Sequence, residues 1–267
     1  MALHFTKYQG TGNDFILIDD RLTEFDPHDH ALITQLCDRR FGIGADGLML
    51  LRYHETADFE MHYFNADGQP GSMCGNGGRC IVDFAHRLGF LRHWPVFMAP
   101  DGLHEATWDT DSALIGLKMQ NVTGWEVGNG YFFLDTGSPH YVKLVDDVGA
   151  VDVVTEGRKI RYGNTYGPLG GTNVNFVEPY NGGLRVRTYE RGVEDETFSC
   201  GTGAVASAVA AQLAGILPNN EAHPTVYIST KGGDLAVSFT KEPHTFAQIW
   251  LHGPVAKVYE GSIETES

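Results

Sequence analysis

Basic residues are scarce in this chain. Nineteen Lys and Arg stand against 34 Asp and Glu, a formal net charge of −15 over 267 residues. Phosphate backbones are held by clustered Lys and Arg, so this balance argues against a nucleic-acid partner. Long apolar runs are missing too: no stretch approaches the roughly 18 residues that a membrane-crossing helix needs, and no membrane partner is expected. The start of the chain, Met1-Ala-Leu-His-Phe-Thr-Lys7, has neither the basic region nor the apolar stretch of a secretory signal, so the expected compartment is the cytoplasm. Cysteine is sparse. Cys37, Cys74, Cys80 and Cys200 have neither Cys-x-x-Cys metal spacing nor the density of a disulfide scaffold. The Gly-Lys-Ser and Gly-Lys-Thr steps of a phosphate-binding loop are absent.

What is present is a motif that occurs twice. Cys74-Gly-Asn-Gly-Gly-Arg79 and Cys200-Gly-Thr-Gly-Ala204 each read as the opening of a helix. Each helix runs to a glycine fifteen residues beyond its cysteine, Gly89 and Gly215, where a left-handed C′ glycine would end it. Each motif also follows a strand and a polar turn, Phe64-Asn65 before the first and Tyr189-Glu190 before the second. The repetition predicts a duplicated half.

Around the motifs, alternating apolar residues predict short strands. In the first half these fall within 3–19, around the turn Gly10-Thr-Gly-Asn-Asp14, and at 48–53, 58–64, 95–99, 103–108 and 113–119. In the second half they fall at 131–135, 141–145, 172–176 and 184–190, with tail strands near 224–229, 234–239, 246–251 and 255–259. Asp26-Pro27 predicts a helix start running to about Arg40, and a helix is expected over 148–156. The fold class is therefore α+β: two similar domains, 1–122 with 255–267 and 123–254, each a set of strands around one very apolar helix that must be buried.

A thiol has an ordinary pKa of about 8.5, and the unpaired N–H groups of a helix start lower it. The same groups hold carboxylates. Two such starts serving one bound carboxylate would let one thiolate remove a proton from the adjacent carbon while the other thiol supplies a proton to the opposite face, which inverts the centre. Two close-packed glycine turns are the structural alternative, and a redox dithiol is another. Matched helix lengths weigh against the first, and the 126 residues between the cysteines weigh against the second. Cys37, on the stripe Leu32, Ile33, Leu36, and Cys80, beside Ile81 and Val82, read as small buried hydrophobes.

Together with Gly10-Thr-Gly-Asn-Asp-Phe15, Phe41-Gly-Ile-Gly-Ala-Asp46, Phe64-Asn-Ala-Asp-Gly68, Gly137-Ser-Pro-His140, Gly171-Thr-Asn-Val-Asn-Phe176 and Tyr189-Glu-Arg-Gly192, the two motifs resemble the diaminopimelate epimerase family along nearly the whole chain. The resemblance implies two similar domains, each a curved sheet or barrel around a central helix, with the active site in the cleft between them. It implies that Cys74 and Cys200 are the acid/base pair, acting without cofactor or metal on a small-molecule substrate. That substrate would be LL-2,6-diaminopimelate, converted to the meso form used for lysine and peptidoglycan. Asn13, Asn65, Asn173, Glu190 and Arg191 correspond to substrate-binding positions. Gly75, Asn76, Gly201 and Thr202 would supply the helix-start donors, and His140 and Glu190 would poise the reacting centre. A homodimer is one assembly the chain allows.

Two positions and one turn depart from the family's pattern. Ser138 stands where Asn is more usual, Gly47 where some members carry an amide, and the turn 192–197 is longer and more acidic. Two rival readings stay open: a two-cysteine proline or hydroxyproline racemase, and a non-catalytic diacid-binding protein on the same scaffold.

Overall fold

A run such as Ala204-Val-Ala-Ser-Ala-Val-Ala-Ala211 offers no polar face, so the chain has to wrap it completely. The computed structural model describes residues 2–89, 94–109, 114–217 and 223–264. Its strands are β1 (Ala2–Gly10), β2 (Asn13–Asp19), β3 (Gly47–Arg52), β4 (Phe59–Asn65), β5 (Val96–Ala99), β6 (Gly102–Trp108), β7 (Ile115–Lys118), β8 (Trp125–Val127) and β9 (Tyr131–Asp135). They continue with β10 (Pro139–Leu144), β11 (Asn173–Tyr180), β12 (Gly183–Glu190), β13 (Asp195–Thr197), β14 (Thr225–Thr230), β15 (Gly233–Glu242), β16 (Thr245–Gly253) and β17 (Ala256–Glu264). The α-helices are α1 (His30–Cys37), α2 (Gly75–Arg87), α3 (Val153–Arg161) and α4 (Gly201–Ala214).

The chain divides into one compact unit of residues 1–117 with 253–267 and a second of residues 118–252. In the first, the strands neighbour one another in the order β17-β1-β2-β3-β4-β5-β6-β7. The β2/β3 and β4/β5 pairs are parallel, and the other pairs in the series are antiparallel. In the second, the order β8-β9-β10-β11-β12-β14-β15-β16 repeats the same series, with β10/β11 and β12/β14 parallel. A parallel pair needs a long crossover, and helices supply each one: α1 and α3 at the first parallel step, α2 and α4 at the second. The duplication read from two short motifs therefore extends to every strand of the series, and β17 fills in one unit the place of β8 in the other.

Each sheet curls around its second helix. β1, β2, β3 and β6 meet α2, and β9, β10, β11, β12, β14 and β15 meet α4. Every residue of α4 from Gly203 to Gln212 is buried. Val205 and Val209 lie among Leu134, Val142, Val186, Ile228 and Leu251, and each valine contributes about 1.5–3 kcal/mol by leaving water. Helix α2 is buried as expected but is not uniformly apolar, since it buries Arg79 and Asp83 as well as Ile81 and Val82. Asp83 is satisfied by Tyr8 Oη at 2.9 Å and Arg87 Nε at 2.6 Å. Both closing glycines adopt the left-handed conformation, Gly89 at φ 75° and Gly215 at φ 68°.

Some boundaries shift for local reasons. Helix α1 begins after Asp29, whose carboxylate accepts from Leu32 N, whereas Asp26 closes a separate turn on His28 N. The helix expected over 148–156 is α3, capped by Asp152 on Thr155 N and starting at Val153. Strand β8 lies in a polar stretch that showed no alternation. Ala113, the first residue of the strand expected at 113–119, lies outside the described residues; the strand itself is β7.

Candidate active site

A helix start offers N–H groups to a ligand when its own side chains leave them free. Cys74 is the N-cap of α2, extended at φ −111° and ψ 123°, and Cys200 is the N-cap of α4 at φ −127° and ψ 116°. Neither side chain caps its helix, and neither helix has an acidic residue in its first turn. Both thiols are half-buried at the positive end of a buried helix. Cys37 and Cys80 are fully buried, and burial pushes the Cys37 thiol up to about 11 and the Cys80 thiol further. Brief treatment with iodoacetamide near neutral pH is therefore expected to label Cys74 and Cys200 at least tenfold faster than Cys37 and Cys80, as read by peptide mass spectrometry.

In the first unit, the two-residue turn Thr11-Gly12, both at positive φ, brings the β1–β2 hairpin round to Asn13. Asn13 Nδ2 donates to Asp46 at 2.9 Å, and its Oδ1 accepts from Asn76 Nδ2 at 2.7 Å. Asn76 is buried, and its Oδ1 takes Arg79 Nη2 at 2.8 Å and Thr11 Oγ1 at 3.2 Å. Arg79 is wholly buried; it also reaches Thr11 Oγ1 at 2.9 Å, while its Nε meets no acceptor among the described residues. Asp46 shares Arg39 with Asp14, which also pairs with Lys7. Burial alone would raise the Asp14 carboxyl, but hydrogen bonds from Arg39 and Lys7 outweigh it and bring the group to about 2. Asn65 lies exposed at the end of β4, opposite Gly47 on β3. A Cβ at Gly47 would meet the Tyr63 ring at 2.5 Å, so this chain has no room there for an amide side chain.

In the second unit, His140 is fully buried on β10, with Nε2 2.9 Å from Thr202 Oγ1 and Nδ1 2.9 Å from Asn175 Nδ2. Thr202 Oγ1 lies 3.4 Å from the Cys200 sulfur. Burial, and then the nearby Arg191, push the imidazole down to about 3, so the ring is neutral. Asn173 spends both amide hydrogens within the fold, on Ser138 Oγ at 2.6 Å and Pro139 O at 3.0 Å, and its Oδ1 accepts from Arg191 N at 2.8 Å. Glu190, at the end of β12, accepts from Thr197 Oγ1 at 2.8 Å, and burial raises its carboxyl above the usual range. Arg191 is exposed, and among the described residues no carboxylate pairs with its guanidinium. Within the acidic turn, Glu194 pairs with Arg161, and Glu196 pairs with Arg187 and Lys231.

Asn175, Thr188, Thr11 and Arg79 were not singled out from the sequence. Period-two alternation on β11 puts Asn173 and Asn175 on one face, which was the available signal for Asn175. The second glycine of each motif lies close against a neighbouring side chain. A Cβ at Gly203 would lie 2.4 Å from Asn175 Oδ1, and one at Gly77 2.1 Å from Met49 Cε. The Asn175 amide is held by hydrogen bonds, whereas the Met49 tip can retreat. Gly203→Ala is thus expected to lower stability by about 1–3 kcal/mol, and Gly77→Ala by less than about 1 kcal/mol after its gain in helix propensity. Urea denaturation checks the pair, and equal losses would contradict the reading.

A family model described as "Diaminopimelate epimerase" matches residues 5–122 and 132–258. A protein named diaminopimelate epimerase from Flavobacterium psychrophilum is 50% identical over 258 residues, covering 96% of this chain and 98% of its own. One of the same name from Chlorobaculum tepidum is 43% identical over 262 residues, covering 95% and 98%. Among solved structures, a PhzF-family phenazine biosynthesis protein from Bacillus anthracis superposes with a TM-score of 0.76 at 12% identity, covering 99% of this chain and 100% of its own. A hydroxyproline epimerase from Agrobacterium vitis superposes at 0.66 and 13%, covering 98% and 92%. At these identities the solved structures share the fold alone.

Proposed function

The chain belongs to the diaminopimelate epimerase family, and from that premise we propose how its own residues carry the epimerisation of LL-2,6-diaminopimelate to the meso form. Cys74 and Cys200 act as an acid/base pair on one α carbon: one thiolate takes the proton from one face, and the other thiol gives a proton to the opposite face. The carbanion formed between these steps spreads its charge onto the substrate carboxylate, which the N–H groups of Gly75, Asn76, Gly201 and Thr202 would stabilise. Glu190 and His140 poise the reacting centre. The observation that carries this assignment is the pair of half-buried thiols, each at an uncapped helix start with no acidic residue in the first turn.

Arg191 binds the distal carboxylate, where its exposed guanidinium offers a bidentate fork. Asn13 and Asn65 take substrate polar groups directly. Asn173 contributes by holding Arg191 and the Ser138-Pro139 turn, since both of its amide hydrogens are already used. Ser138 accepts one of those hydrogens. The proposed compartment is the cytoplasm, where thiols stay reduced, and the proposed assembly is a homodimer, readable by light scattering.

Incubation in deuterated water with LL-diaminopimelate, proline and 4-hydroxyproline in parallel tests the substrate. Exchange and inversion of diaminopimelate alone is the expected result. Turnover of proline or hydroxyproline without diaminopimelate would overturn the reading in favour of a racemase, and binding without turnover in favour of a silent diacid-binding protein.

A further inference from the structure

We propose that Asn175 is a positioning residue that fixes the tautomer of His140 and so directs a one-way row of hydrogen bonds onto the Cys200 sulfur. The inference rests on the functional reading above for its purpose, but its geometry lies wholly within residues 140–202. Asn175 is fully buried on β11 beside β10. Its Oδ1 accepts from Thr188 Oγ1 at 2.9 Å, and its Nδ2 lies 3.4 Å from Tyr141 O and 2.9 Å from His140 Nδ1. A carbonyl oxygen can only accept, so the NH2 end of the amide must face Tyr141 O, and the same group then donates to His140 Nδ1.

Nδ1 is thereby an acceptor, and the ring proton belongs on Nε2. Nε2–H donates to Thr202 Oγ1 at 2.9 Å, which leaves the single hydroxyl hydrogen of Thr202 for Cys200 Sγ at 3.4 Å. The order is Asn175 to His140 to Thr202 to Cys200, each donating to the next. A hydrogen bond donated onto sulfur favours the thiolate over the thiol. In the opposite tautomer Nε2 would accept the Thr202 hydrogen, and the sulfur would lose that donor. Arg191 is the charged group that bears on His140, and together with burial it keeps the ring neutral. Gly203 fits the same arrangement, since any Cβ there would displace the amide oxygen of Asn175.

The test uses the full-length protein without substrate. Nitrogen-15 spectra of the histidine rings, with the His140 signals assigned by their loss in His140→Gln, are expected to show Nε2 protonated and Nδ1 bare near neutral pH. Finding the proton on Nδ1 in the parent overturns the proposal whether or not any variant folds. Asn175→Asp, whose carboxylate accepts from Nδ1–H, is expected to move the proton to Nδ1 and to slow alkylation of Cys200 at pH 7 by about tenfold, the equivalent of about one pKa unit. Alkylation of Cys74 should be unchanged. An Asn175→Asp protein that keeps the parent tautomer and the parent Cys200 rate contradicts the assignment. Because neither readout uses diaminopimelate, the predicted tautomer in a protein that fails to epimerise would sink the proposed function and leave this inference standing.

Discussion

Cys74→Ala and Cys200→Ala are each expected to lower the rate of diaminopimelate epimerisation by at least roughly a thousandfold, within the range that a positioned acid or base contributes. Inversion needs a group on each face of the carbon, so neither thiol can cover for the other. The two single variants should still differ in what they retain. A remaining thiolate can take the proton from its own face and return it there, so each variant should exchange one stereoisomer with solvent without inverting it. Stability should change little, because both thiols are half-buried and neither caps its helix. Serine in either place should fare no better than alanine, since a hydroxyl is far too weak an acid to reach the charged form near neutrality. A chiral assay with LL-diaminopimelate, run beside thermal unfolding, checks each expectation.

Glu190→Gln separates catalysis from architecture. Burial raises the Glu190 carboxyl, and the hydrogen bond from Thr197 only partly offsets that. A carboxyl whose folded pKa is raised contributes stability below its unfolded value, and that contribution is lost as pH climbs through the folded value. At pH 7 the ionised side chain is therefore a cost to the fold. Glutamine keeps an acceptor for Thr197 and carries no charge. The variant should be at least as stable as the parent at pH 7, with the difference shrinking toward pH 4, while turnover falls by roughly a hundredfold and the acid limb of the kcat/KM profile is lost. A clear fall in stability at pH 7 with little loss of turnover would make Glu190 a structural residue.

The fold was legible where one residue type does one job. Cys-Gly-x-Gly announced both helix starts because an N-cap followed by small residues is a local signal, and both left-handed closing glycines could be read for the same reason. Asp26-Pro27 misled because Asp29 offers the same capping chemistry three residues later, and which carboxylate caps is settled by the packing of Ile33 and Leu36 against Leu48 and Leu50. Strand β8 was missed because Trp125 is its one substantially packed residue, which leaves no alternation to see.

As candidates for the site, Cys74, Cys200, His140, Asn13 and Glu190 stand out in the sequence because each sits in a short motif. Arg79 and Asn175 were not, because their roles depend on partners far along the chain: Thr11 lies 68 residues from Arg79, and His140 35 residues from Asn175. The resemblance implies a substrate-binding role for Asn173, and the fold adds hydrogen bonds between its amide and Ser138, Pro139 and the Arg191 N–H that no motif announces. A sequence names a polar residue but not the direction in which its hydrogens point.

The central claim is that two thiols move one proton off and another on at a single carbon. Its most direct measurement is single-turnover conversion of LL-diaminopimelate in deuterated water, with the meso product analysed for deuterium at the inverted carbon. The account predicts one deuterium at that carbon in every product molecule of the first turnover and none at the other stereocentre, with no meso product from Cys74→Ala or Cys200→Ala. Product that retains the original hydrogen, or parent-like inversion by either variant, would contradict it.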